Sequence, residues 1–143
     1  MKKFIYLISS LLLIILSFLI LESVFNNKKL NATYYDLDNS IVKLSDIINS
    51  EMDTHVIYVD PNCSSCEQIS SLYKNIENKT IIIISSYKEE FNYVEYFNKF
   101  NSLKNVHFFI DKENNFIDDF NIGFSYSLPL ILEFDKKGKQ IVN

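Results

Sequence analysis

The only two cysteines of this 143-residue chain, Cys63 and Cys66, stand three residues apart in the stretch "YVDPNCSSCEQIS" (58–70). Paired thiols at that spacing serve redox exchange or metal binding. A purely structural cross-link is a weak alternative, because a loop that short removes little entropy from the unfolded chain. A closed zinc site takes four ligands, and the pair supplies two. The only histidines, His55 and His107, each lie within a strand-like run, where a histidine is ordinarily part of a sheet.

The setting of the pair favours redox chemistry. The apolar run "HVIYV" (55–59) reads as a buried strand, Asp60-Pro61-Asn62 breaks it, and a helix is expected from about Cys63 to Glu77. In the first turn of that helix, unpaired N–H groups and the helix dipole favour an anion at Cys63. A thiol of ordinary pKa is only about 3% thiolate at neutral pH, whereas a pKa near 7 gives about half. Cys66 shares a stripe with Ile69, Tyr73 and Ile76 that faces the core. One sulfur is then reachable and the other sheltered. In that arrangement Cys63 attacks a substrate disulfide and Cys66 resolves the mixed disulfide. Asp60 and Glu67 flank the pair as candidate proton carriers for Cys66, and their charge opposes a thiolate at Cys63.

The elements that must hold this pair follow from periodicity. Residues 34–44, "YYDLDNSIVKL", read as two short strands around Asp38-Asn39-Ser40, and Ser45 as the cap of a short helix. "TIIIIS" (80–85) and "VHFFI" (106–110) are further buried strands. Ser86 and Glu89 form a capping-box pattern ahead of a helix carrying Phe91, Val94, Phe97 and Phe100. A short helical stretch follows near 114–120, then a loop, the strand "LILEF" (130–134), and a hairpin through Asp135-Lys136-Lys137-Gly138. Strands alternating with helices predict an α/β fold with a largely parallel central sheet.

The N-terminus has a different character. Lys2 and Lys3 precede Phe4–Leu21, a run with no charge that spans roughly 27 Å as a helix, close to the thickness of a bilayer's hydrocarbon core. No small-residue cleavage site follows, so residues 1–25 read as an uncleaved signal-anchor helix with its N-terminus in the cytoplasm. Residues 26–33 read as a tether, and 34–143 as the working domain outside the cytoplasm, where thiols can be oxidised. That domain holds 10 lysines against 17 acids, a net charge of −7, which excludes a phosphate-backbone partner.

Strand, C-x-x-C at a helix start, alternating elements and then "SLPLILEFDKKGKQIV" resemble the thioredoxin-like proteins, and most of all the membrane-tethered TlpA/ResA-like thiol–disulfide oxidoreductases. The likeness covers roughly 34–143, and "YYDLDNSIVKLSDI" is similar to that group's N-terminal hairpin. The resemblance implies a central mixed sheet flanked by helices. It also implies a cis-proline at Pro129 facing the cysteines, with the backbone of Leu128 bonding the substrate. The chain departs from the family at four places. Asn62 stands where tryptophan is common, Ser64-Ser65 where Gly-Pro or Glu-Pro is common, and Ile57 where an acid is usually buried. It also ends at Asn143 without the family's usual terminal helix.

The expected function is thiol–disulfide exchange, in the reducing direction on family analogy, by a single-pass protein of the bacterial cytoplasmic membrane with its domain on the periplasmic side. Its partners would be extracytoplasmic protein thiols and disulfides, a membrane electron donor, and the bilayer through residues 4–21. It needs no cofactor beyond the Cys63–Cys66 disulfide and no metal. Two alternatives stay open: a copper metallochaperone using both sulfurs with His107, and a non-catalytic binding module that holds a partner on the uncovered face or on the loop Phe124–Tyr126.

Overall fold

A computed structural model describes residues 2–48, 51–123 and 125–141, and their side chains except at 2–5, 7, 22 and 25–29. Phe124, Val142 and the end of the expected helix "DIINS" (46–50) lie outside the described residues. The chain runs α1 (Lys2–Leu30), β1 (Thr33–Tyr35), β2 (Ile41–Lys43), α2 (Ser45–Ile48) and β3 (Asp53–Val59). A 3-10 helix, Ser64–Gln68, leads into α3 (Ile69–Tyr73). Then come β4 (Lys79–Ser86), α4 (Tyr93–Asn98), β5 (Val106–Asp111), α5 (Phe116–Asp119), β6 (Leu130–Phe134) and β7 (Gln140–Ile141).

The strands form one sheet in the order β2-β1-β5-β4-β3-β6-β7. The central strands β5, β4 and β3 are parallel, and every pairing outside them is antiparallel. The sheet is therefore mixed, with its parallel part confined to the middle, where helices cover both faces.

Successive side chains of β3 and β4 divide between two cores. Val56, Tyr58, Ile82 and Ile84 pack with Phe109, Phe116, Phe120, Leu132 and Phe134 on one face. Ile57, Val59, Ile81 and Ile83 pack with Cys66, Ile69, Tyr73, Tyr96, Phe97 and Phe100 on the other. At β1–β2 the turn closes with Asp36 N–H donating to Ser40 O at 3.0 Å, and Asn39 sits at φ 67°.

Three expectations are corrected. The helix after the cysteines ends at Tyr73, not Glu77, and opens as a 3-10 turn. Ser86 does not cap α4: its hydroxyl donates to Asp60 Oδ2 at 2.8 Å, and Asn92 is the cap, accepting from Glu95 N–H at 3.1 Å. The buried face of α4 accordingly carries Tyr93, Tyr96 and Phe97, while Val94 is exposed. Likewise Ser45 is the first residue of α2, and its hydroxyl bonds Asp46.

The N-terminal segment is one helix that continues to Leu30, through most of the stretch that reads as a tether. Leu30 packs on the first core and Ala32 is buried in it. Among the described residues no helix is long and apolar enough to cross a membrane. From Ile8 to Leu21 the leucines and isoleucines of α1 are exposed all round.

Candidate functional site

Strand β3 ends in the turn that presents the cysteines. Asp60 O accepts the Cys63 N–H at 2.9 Å, and Cys63 O accepts the Cys66 N–H at 3.1 Å. Cys63 is the N-cap residue, at φ −83° and ψ 104°, one position before the first turn in which the spacing places it. The two sulfurs are joined as a disulfide with Cα atoms 5.4 Å apart. Their surroundings differ. Cys66 is 0% exposed and belongs to the second core, whereas Cys63 is half-buried at its rim.

The loop before β6 meets the cysteine turn. The Leu128–Pro129 peptide bond is cis. Ser65 links the two loops: its hydroxyl donates to Leu128 O at 2.9 Å, and its Oγ lies 3.2 Å from Cys63 Sγ. Leu128 packs against both cores. Nothing in the spacing of Ser64-Ser65 announces this contact, because its partner is 63 residues away. The only local signal is a hydroxyl residue between the two cysteines.

Asp60 anchors the turn from beneath. Its Oδ1 accepts from Asn62 N–H at 2.8 Å and from Lys88 Nζ at 2.9 Å, and its Oδ2 accepts from Ser86. Burial alone would raise its pKa, but the hydrogen bonds from Asn62, Lys88 and Ser86, with the Lys88 charge, hold it below the ordinary carboxylate value. Glu67 is tied to Lys99 at 2.8 Å, and that hydrogen bond and charge lower its pKa. Both acids that flank the pair thus point their charge at lysines rather than at Cys66. Ile57 is fully buried among apolar side chains of the same core as Cys66. The place where an acid is usual is therefore apolar here.

The histidines lie elsewhere. His107 pairs with Ile82, which pairs with Val56, so it stands on the face of the sheet opposite Cys66. His55 lies near the start of β3, at the end of the strand away from the cysteines. It lies 2.8 Å from the Tyr73 hydroxyl through Nδ1 and 2.6 Å from Lys79 Nζ through Nε2. Neither imidazole joins the sulfurs in a ligand set. Among the described residues no group of three or more His, Cys, Asp or Glu converges on a metal-sized site.

No family model and no curated protein matches the sequence. Solved structures do match the fold. A secreted Mycobacterium tuberculosis disulfide oxidoreductase, described as homologous to E. coli DsbE, is similar with a TM-score of 0.61 and 15% identity, over 79% of this chain and 82% of that one. The thioredoxin domain of a Bacteroides vulgatus thiol–disulfide oxidoreductase is similar at 0.59 and 20% identity, over 77% and 80% of the two chains. The exposed lipoprotein thioredoxin of Streptococcus pneumoniae is similar at 0.53 and 18% identity, over 78% and 85%. At these identities the likeness is one of fold.

Proposed function

We propose that this chain, which has the thioredoxin-like fold, is a membrane-anchored extracytoplasmic thiol–disulfide oxidoreductase with Cys63 as nucleophile and Cys66 as resolving thiol. One observation carries the reading: the disulfide is asymmetric, with Cys66 sealed in the core and Cys63 at the rim beside the cis Leu128–Pro129 loop. Structural neighbours described as disulfide oxidoreductases support it.

In the reducing direction the Cys63 thiolate attacks one sulfur of a substrate disulfide. The other substrate sulfur leaves as a thiolate and takes a proton. Cys66 then gives up its proton and attacks Cys63 Sγ, releasing the second substrate thiol and restoring the Cys63–Cys66 disulfide. The substrate gains two electrons and two protons, and a dithiol donor at the membrane returns them to the pair. The substrate chain would lie along Leu128 and Pro129, beside Cys63. The N–H groups at the start of the 3-10 helix favour the Cys63 thiolate. Anchoring rests on the uncharged run Phe4–Leu21 and on the exposed apolar side chains of α1.

The decisive experiment replaces Cys66 with serine in the full-length protein and separates exported proteins on a non-reducing gel. Mixed disulfides on Cys63 that dithiothreitol dissolves are the expected result. Loss of every adduct, with partner binding that survives removal of both cysteines, would replace exchange by a binding role. Stoichiometric copper on the purified protein would replace it by metal transfer.

A further inference from the structure

We infer that Ser65 is a redox-linked hydrogen-bond switch, which shields the Leu128 carbonyl while the cysteine pair is oxidised and exposes it when the pair is reduced. The inference rests on the exchange reading above and adds to it a residue and a gating step.

The Ser65 hydroxyl has one proton and two acceptors within reach, Leu128 O at 2.9 Å and Cys63 Sγ at 3.2 Å. A disulfide sulfur is a weak acceptor and a peptide carbonyl a good one, so in the oxidised pair the proton goes to Leu128. Reduction reverses the order. When a dithiol donor reduces the pair, the donor's two sulfurs join as a disulfide and its two electrons pass to Cys63 and Cys66. Cys66 keeps one proton, Cys63 keeps the negative charge, and the second proton passes to water. A charged acceptor makes a hydrogen bond roughly twice as strong as a neutral one. The hydroxyl proton then swings about Cβ–Oγ and donates to the thiolate.

Two consequences arise from one rotation. The Cys63 thiolate is stabilised, and the Leu128 carbonyl becomes free for an N–H of an extended substrate chain. The form that carries the attacking thiolate is also the form that can hold a disulfide substrate. The oxidised product covers its own docking carbonyl. That ordering suits a reductase, since product release and oxidation of the pair coincide. The charged groups packed around the turn already have partners in the oxidised pair: Asp60 with Lys88, Asn62 and Ser86, and Glu67 with Lys99.

The test needs no substrate. In the reduced full-length protein, the rate of Cys63 alkylation by iodoacetamide is followed against pH for the wild type, Ser65→Ala and Ser65→Thr. Ser65→Ala should raise the midpoint by roughly one pH unit, and Ser65→Thr, which keeps a hydroxyl, should recover most of that shift. The carbonyl is read separately. Labelling with 1-13C leucine and 15N proline marks one peptide bond, because Leu128-Pro129 is the chain's single Leu-Pro step. The Leu128 carbonyl resonance should move on reduction of the wild type and stay near the reduced position in both states of Ser65→Ala. An unchanged alkylation midpoint in Ser65→Ala, a Ser65→Thr protein that titrates like Ser65→Ala, or a redox-linked carbonyl shift equally large without the hydroxyl would each overturn the switch. Absence of mixed disulfides with the Cys66→Ser protein would overturn exchange while leaving these readouts interpretable.

Discussion

Three donors converge on the carboxylate of Asp60, from Asn62 N–H, Lys88 Nζ and the Ser86 hydroxyl, and the Asp60 carbonyl holds Cys63 N–H. The residue fixes the turn that aims Cys63. Because its pKa in the folded chain lies below the ordinary value of 3.8, it contributes stability that is complete above that value. The contribution is lost as pH falls toward the folded pKa and the unfolded chain takes up the proton first. Asp60→Asn should lower stability at neutral pH by about 1–2 kcal/mol and flatten the acid limb of a urea-unfolding series between pH 5 and 2.5. An acid limb that Asp60→Asn leaves unaltered would mean that the carboxylate is not held as described. The pairing of Cys63 with Cys66 was legible from their spacing, since it depends on residues three apart. The roles of Asp60 and Ser65 were not. Their partners Lys88, Ser86 and Leu128 lie 28, 26 and 63 residues away, and reach them only once the strands are in register.

At the scale of elements, legibility followed burial. "HVIYV" and "TIIIIS" read as strands because both faces of β3 and β4 are covered, which demands continuous apolar, β-branched residues. The helices were legible in position but not in length. On α4 the expected Phe97 and Phe100 are buried, but Tyr93 and Tyr96 take the place of Val94; Ser86 has the right side chain for a cap, but Asp60 engages it and Asn92 caps instead. The tie between β3 and α3 makes a prediction of its own. His55 is 6% exposed, and burial, then the Lys79 charge, push its pKa below the ordinary 6.5 against the opposing pull of Glu133 and Asp53. With Lys79 Nζ beside Nε2, the neutral ring accepts there and donates from Nδ1 to Tyr73. Below pH 6.5 the unfolded chain binds a proton that the folded chain refuses. Stability is therefore present above that pH and falls below it, by up to about 1.4 kcal/mol per pH unit, until the folded pKa is reached. His55→Gln should flatten the loss between pH 7 and 5.5. His107, whose pKa burial also lowers, remains in both proteins, so the difference between the two unfolding curves isolates His55. Parallel curves would rule out this origin of the pH dependence.

At the scale of the whole molecule, the question is how the N-terminal helix is joined to the domain that carries the disulfide. Leu30, the last residue of α1, lies over the β6–β7 turn, where Gly138 is buried at φ 75°. A Cβ on Gly138 would stand 3.3 Å from both Leu30 methyl carbons and 3.4 Å from Ile48 Cγ2. That turn follows Phe134, which pairs with Thr54 at the start of β3, whereas the cysteines follow the end of β3. Docking site and disulfide are thus separated by the length of the strand, about 20 Å at the usual rise. The end of α1 is thus docked at the end of the sheet away from the disulfide. The polar letters of "NNKKLNAT" concealed this, because the one large apolar residue among them, Leu30, makes the contact. The join can be measured as a coupling. Gly138→Ala should cost about 1–2 kcal/mol, part from the backbone at positive φ and part from crowding Leu30. In a Leu30→Ala background the crowding disappears, so Gly138→Ala should cost only the backbone part, about 1 kcal/mol. A double-mutant cycle in the full-length protein, read by chemical denaturation in detergent, would then give a non-zero interaction energy between the two positions. Strict additivity would mean that the helix is not seated on the turn.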